Sequence, residues 1–127
     1  MSSAATRILV IDDDNITSKI LEKMLIKQQY EVTTCTRASD ALDILRARRN
    51  DFDIVLSDIE MPGMNGFELL ETIVNEFNEL PVVLMSSLDD EGSISKGFSK
   101  GAREYLIKPV QKDDIKNLWQ HVQKTGN

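Results

Sequence analysis

One cysteine, Cys35, and one histidine, His121, are all that the 127 residues contain of either type. A lone thiol makes no intrachain disulfide, which excludes a disulfide-stapled secreted framework; Cys35 reads as a small buried apolar group suited to a reducing compartment. His121 falls on the last helical stretch beside Trp119, away from the acidic clusters, and reads as a surface residue. No apolar run approaches the roughly eighteen residues of a membrane span. The opening MSSAATR lacks the apolar core of a secretory signal, so an intracellular, cytoplasmic location is expected. Basic charge is in deficit: 15 Lys and Arg against 21 Asp and Glu give a net charge of −6, which repels a nucleic-acid backbone. The domain alone is not expected to bind DNA.

With 41% hydrophobic and 28% charged residues, the chain reads as an ordinary globular protein, of a length that suits one domain. A single domain over 1–127 is expected, with its core at about residues 7–123 and loose tails at the first six and last four positions. Short apolar or β-branched runs at 8–11, 31–36, 52–57, 81–86 and 104–107 predict five strands. Helical periods lie between and after them: Ile16, Ile20, Leu21, Met24 and Leu25; Ala38, Ala41, Leu42 and Leu45; Phe67, Leu70, Ile73, Val74 and Phe77; and Ile115, Leu118, Trp119 and Val122. The segment 89–102 has only Ile94 and Phe98 as large anchors and carries Gly92 and Gly97, so a weak, mobile helix is expected there. Strict alternation implies an α/β fold: a doubly wound, five-stranded parallel sheet with helices on both faces, order 2-1-3-4-5.

In such a sheet ligands bind outside the carboxyl ends of the strands, where the winding reverses between the first and third. The first strand runs into Asp12, Asp13 and Asp14. The third, within IVLSDIEMPGMNG (54–66), runs into Asp58. Carboxylates about 4 Å apart repel by roughly 4 kcal/mol per pair at an effective dielectric of 20, so the cluster calls for a counter-ion or raised pKa values. Oxygen-only ligands point to a hard cation; Mg2+ uses one or two carboxylates plus waters and phosphoryl oxygens, which leaves an acid free as a nucleophile toward phosphorus. Ser86 ends the fourth strand and Lys108, before Pro109, the fifth. A hydroxyl and an ammonium on that rim suit a phosphoryl group.

VIDDD, SDIEMPGMNG, LMSS and EYLIKP, at four strand ends in order, resemble the receiver domain of two-component response regulators over about residues 7–123. The flavodoxin-like fold agrees with the order above. The resemblance implies Asp58 as phosphoacceptor, with Ser86 and Lys108 assisting, and Mg2+ held by Asp12, Asp13, Asp58 and the backbone carbonyl of Glu60. It implies a switch built from Ser86, Tyr105, Lys108 and Pro109, with a cis Lys108-Pro109 bond. It further implies a histidine phosphotransfer protein or histidine kinase as partner, a weak or phosphorylation-dependent dimer, and stoichiometric phosphoacceptance with at most weak self-dephosphorylation in place of enzymic turnover. VTTCTRA, YLIKPV and KNLWQHV are similar to plant type-B regulators, for which a nuclear location would follow.

Asp14 reads as a helix cap in preference to a metal ligand. Glu60 and Leu88 are expected to flank the path of a hydrolytic water, and Ser87 to turn away from the site that Ser86 faces. Arg46, Arg48 and Arg49 are explained by the dipole of the second helix, and Met61, Met64 and Met85 by packing. Two alternatives remain open: a haloacid-dehalogenase-like phosphohydrolase, in which Asp12 to Asp14 form the nucleophile loop, and an unphosphorylated docking pseudo-receiver; a flavodoxin-like cofactor binder would need a Ser/Thr/Gly-rich phosphate loop where three acids stand.

Overall fold

The computed structural model describes residues 5–122. Strands and helices alternate: β1 (Arg7–Ile11), α1 (Asn15–Lys27), β2 (Glu31–Cys35), α2 (Ala38–Arg48), β3 (Ile54–Asp58), α3 (Gly66–Glu76), β4 (Val82–Ser86), α4 (Glu91–Ser99), β5 (Glu104–Ile107) and α5 (Lys112–Lys116), with 3-10 turns at Arg49–Asp51 and Leu118–His121. All strand pairs are parallel, and the order is β2-β1-β3-β4-β5, as expected. The expected tails fall almost entirely outside the described residues. Within them, Thr6 is tied down, its carbonyl accepting the Glu31 N–H at 2.9 Å.

The sheet is buried on both faces, which is why its central strands read as continuous apolar runs. Ile8, Val10, Ile54, Leu56, Val83, Met85 and Leu106 pack with Leu21 and Leu25 of α1 and Ile115 of α5. The alternate residues, Leu9, Ile11, Val55, Val82 and Leu84, pack with Leu42 and Leu45 of α2 and Leu70 and Ile73 of α3. Asn65 caps α3 reciprocally with Glu68, fixing where that helix starts.

Two helices depart from the sequence pattern. The last was expected to run through Ile115, Leu118, Trp119 and Val122, yet α5 ends at Lys116. The cause is Tyr30, in the connection between α1 and β2. Its hydroxyl donates to the Ile115 carbonyl at 3.0 Å and accepts the Trp119 N–H at 3.2 Å. Those two groups would bond each other in a continuous helix, so the inserted hydroxyl replaces one rung of the ladder. Trp119 is left 52% exposed. Tyr30→Phe is expected to remove about 1 to 2 kcal/mol by stranding these groups. Urea unfolding at unchanged m-value measures it.

The second departure is α4. Asp90 caps it through Ser93 N–H at 2.9 Å, but Phe98, expected as an anchor, is 44% exposed. Gly97 is the buried residue of this helix, and a Cβ there would meet Leu84 and Tyr105 at 3.1 Å. Glycine therefore lets α4 lie close over β4 and β5. The arginines at the end of α2 also find specific partners beyond the helix dipole. Arg46 pairs with Glu76 of α3 at 2.6 Å, Arg48 with Asp51 at 2.9 Å, and Arg49 donates to the Phe52 carbonyl at 3.0 Å.

Candidate functional site

Strand parity decides which side chains meet at the carboxyl rim, because successive residues point to opposite faces. On β1, Ile8 and Val10 face α1 and α5, and Asp12 is next in that series; on β3, Ile54 and Leu56 share the face, and Asp58 follows. Ile11 stands opposite Ser57, so the two aspartates arrive side by side. Lys108 continues the series of Leu106 from β5, and its peptide bond to Pro109 is cis. The Lys108 ammonium lies 3.2 Å from Asp12 Oδ2 and 3.2 Å from Asp58 Oδ2. Asp12 is fully buried, Asp58 is 4% exposed, and Asp13 faces solvent. One carboxylate oxygen from each of the three lies within 4.8 Å of the others.

Ser86 and Tyr105 have the opposite parity, following Leu84 and packing toward α4. Ser86 is fully buried whereas Ser87 is exposed, as the alternation requires. The Ser86 hydroxyl donates to Glu60 Oε1 at 3.1 Å and accepts the Leu88 N–H at 2.9 Å. The Tyr105 hydroxyl donates to the Leu88 carbonyl at 2.7 Å. The Leu88 peptide thus joins the serine to the tyrosine, whose hydroxyl also interacts directly with the Ser86 side chain.

Burial pushes the Asp58 carboxyl up to about 6, with Lys108 opposing the rise and the charges of Asp12 and Asp13 adding to it. Burial also weakens the Lys108 ammonium as an acid-base charge, but Asp12 and Asp58 together outweigh that and hold its pKa above the usual lysine value. One ammonium does not neutralise three carboxylates. The residual negative charge, the all-oxygen donor set and the opening to solvent at Asp13 fit Mg2+, whose shell is completed by waters. Saturation with Mg2+ at a hundred times its dissociation constant is expected to stabilise the chain by about 2.7 kcal/mol. At the same concentration Asp13→Asn should gain less. Equal thermal shifts in both would remove Asp13 from the metal site.

Asp14 stands apart from this cluster. Its carboxylate caps α1, accepting Ile16 N–H at 3.0 Å and the Thr17 hydroxyl at 2.8 Å. The second acid of a phosphohydrolase nucleophile loop is therefore engaged elsewhere. Cys35 is half-buried and its thiol is pushed up to about 12 by burial, with Asp40 adding, so it stays protonated at neutral pH. Met61 and Met85 are buried on opposite faces of the sheet and Met64 packs on the face of Met61, whereas half-buried His121 closes the last 3-10 turn outside the acidic cluster.

Sequence reasoning missed two features. The sequence marks Glu60 for its main-chain carbonyl and its place beside a hydrolytic water; nothing in the spacing of residues 60 and 86 announces that its side chain receives the Ser86 hydroxyl. Ile16 and Ile20 belong to the apolar period of α1 but are 73% and 57% exposed. Ile20 lines an apolar groove of about 420 Å³ with Leu21, Met24, Met85, Pro109 and Val110, which ends at Lys108. The signal was available, since both isoleucines closely follow the acidic loop.

Comparison with known proteins agrees with this geometry. The family model described as response regulator receiver domain matches residues 8–120. The two-component response regulator ORR26 of Oryza sativa subsp. japonica is 55% identical over 116 residues, covering 91% of this chain and 20% of its own length. The two-component response regulator ARR2 of Arabidopsis thaliana is 50% identical over 119 residues, covering 94% of this chain and 18% of that protein. The chain thus spans about a fifth of the length of these relatives. Among solved structures, chemotaxis protein CheY4 of Vibrio cholerae superimposes with a TM-score of 0.83 at 25% identity, covering 94% of this chain and all of the other.

Proposed function

Since this chain belongs to the response regulator receiver domain family, we propose that Asp58 accepts a phosphoryl group from a phosphohistidine donor and that the modification alters the surface around β5. The observation that carries this reading is the Lys108 ammonium, 3.2 Å from both Asp12 and Asp58, inside a cluster of three acids. An Asp58 carboxylate oxygen attacks phosphorus in line, the bond from phosphorus to the donor imidazole nitrogen breaks, and the imidazole leaves with its bonding pair. Lys108 orients the nucleophile and offers positive charge to the transferred oxygens. Asp12, Asp13, Asp58 and the Glu60 carbonyl would hold Mg2+, which when bound neutralises charge on the phosphoryl oxygens. The Ser86 hydroxyl would bond a phosphoryl oxygen, and Tyr105, joined to it through the Leu88 peptide, would respond.

A protein donor suits the surroundings better than a metabolite. The apolar groove beside Lys108 and the exposed Ile16 and Ile20 give a partner a contact surface continuous with the acids. A histidine phosphotransfer protein of a plant phosphorelay is the proposed donor, and a nuclear type-B regulator the proposed context, in line with the rice and Arabidopsis relatives. Among the described residues no helix is long and apolar enough to cross a membrane. The role is that of a stoichiometric acceptor, with phosphorylation-dependent dimerisation a further part of the proposal.

The test is incubation with Mg2+ and acetyl phosphate, followed by mass spectrometry of the digested chain. One phosphoryl group on the peptide containing Asp58 is the expected result. A phosphoryl group on Asp12 with Asp58 unmodified would instead favour the phosphohydrolase chemistry.

A further inference from the structure

A serine hydroxyl has one proton to donate. Here the Ser86 proton goes to Glu60 Oε1 at 3.1 Å, and a lone pair of the same oxygen receives the Leu88 N–H at 2.9 Å. Ser86 is fully buried, and Glu60 is an exposed residue that reaches inward to it. We infer that Glu60 is a positioning residue that holds the Ser86 hydroxyl in the unphosphorylated state and competes with the phosphoryl oxygen for its single proton.

The inference rests on the phosphoacceptor reading of Asp58. A phosphoryl oxygen there can accept from Ser86 only after Glu60 has given the proton up, so the bond to Glu60 opposes capture. The consequence extends to Tyr105, whose hydroxyl donates to the carbonyl of the same Leu88 whose amide rests on Ser86. Rotation of Ser86 away from Glu60 also withdraws the acceptor of the Leu88 N–H, at the point where the aromatic ring is held. Glu60 therefore helps to set the resting position of Ser86, together with the Leu88 N–H and the Tyr105 hydroxyl. Its negative charge additionally repels any anion bound at Asp58. The two effects are separable, because the hydrogen bond requires the Ser86 hydroxyl and the repulsion does not.

A double-mutant cycle makes the separation. Beryllium trifluoride, an anion that becomes tetrahedral on binding a carboxylate oxygen and so mimics a phosphoryl group there, is titrated calorimetrically into the full chain at Mg2+ saturating for each variant. Glu60→Ala is expected to tighten its binding roughly three- to tenfold, the range of one hydrogen bond made or lost. In a Ser86→Ala background the same substitution should change the affinity less than about twofold. Glu60→Gln, which keeps an acceptor oxygen but no charge, should fall between parent and Glu60→Ala. Equal tightening by Glu60→Ala in both backgrounds would show that only the charge acts and would overturn the inference. No tightening with Ser86 intact would overturn it too, while leaving the phosphoacceptor reading in place. Absence of beryllium trifluoride binding by the parent would remove that reading, and the inference with it.

Discussion

Asp58→Asn is expected to abolish covalent phosphorylation by acetyl phosphate, with no mass increase after an incubation that converts the parent. The carboxamide offers no carboxylate oxygen to attack phosphorus, and no neighbour replaces it geometrically. Asp13 is exposed, whereas Asp12 is fully buried and already accepts both the Asp14 N–H at 2.9 Å and the Lys108 ammonium at 3.2 Å. Asp12→Asn should behave differently: Asp58 remains modifiable, at a reduced rate, because the lysine and any bound cation lose one anchor. The same Asp58→Asn substitution is expected to raise the thermal midpoint in the absence of metal. The Asp58 carboxyl is pushed up to about 6, so at neutral pH it is ionised at a cost. That cost is present above the raised pKa, absent below the ordinary carboxyl value, and on the order of 2 to 3 kcal/mol, the opposing lysine contact being already contained in the shift. A lower midpoint in the variant would mean that the pairing with Lys108 outweighs burial and repulsion by the other acids.

Gly66→Ala is expected to destabilise the fold by about 3 kcal/mol or more, measured by urea unfolding, and to impair phosphorylation in whatever fraction remains folded. Gly66 is the first residue of α3, and its N–H donates to the Ile59 carbonyl at 2.8 Å. An added Cβ would collide with the Asp58 carbonyl oxygen and sit 2.6 Å from Ile59 Cα and 3.0 Å from the Asp58 carbonyl carbon. These are backbone atoms, so no rotamer change relieves the contact. The Asp58 carbonyl also accepts the buried Ser57 hydroxyl at 2.8 Å, which fixes it from a second direction. Relief must therefore move the end of β3, and with it the carboxylate that Lys108 reaches. A variant with parent-like stability and parent-like phosphorylation would show that α3 can retreat from β3 without consequence.

Much of the architecture is written in local sequence. Period-two and period-3.6 apolar patterns are properties of neighbouring residues, and both faces of a parallel sheet must be covered, so five strands and their intervening helices were legible with ends shifted by one or two positions. The acids after Ile11, the aspartate at 58, the serine at 86 and the lysine at 108 were legible for the same reason: each sits at a strand end, and the strand order brings those ends to one rim. Asp14 was correctly read as a cap because capping is a contact between residues two and three apart.

What escaped depends on partners distant in sequence. The apolar period from Ile115 to Val122 is a sound helical signal, and the hydroxyl of Tyr30, from the loop between α1 and β2, breaks the ladder. Phe98 has the composition of an anchor, but the close approach allowed by Gly97 gives that contact to the glycine and leaves the ring half in solvent. The bond between Glu60 and Ser86 follows from the side by side pairing of β3 and β4. The sequence by itself determined the elements, their order and the chemical inventory of the rim, because strand periodicity and turn chemistry act over a few residues. Only the tertiary structure decided which oxygen holds which proton and where a helix ends, because a hydrogen bond depends on positions to within a fraction of an ångström, and those are set by packing between segments far apart in the chain.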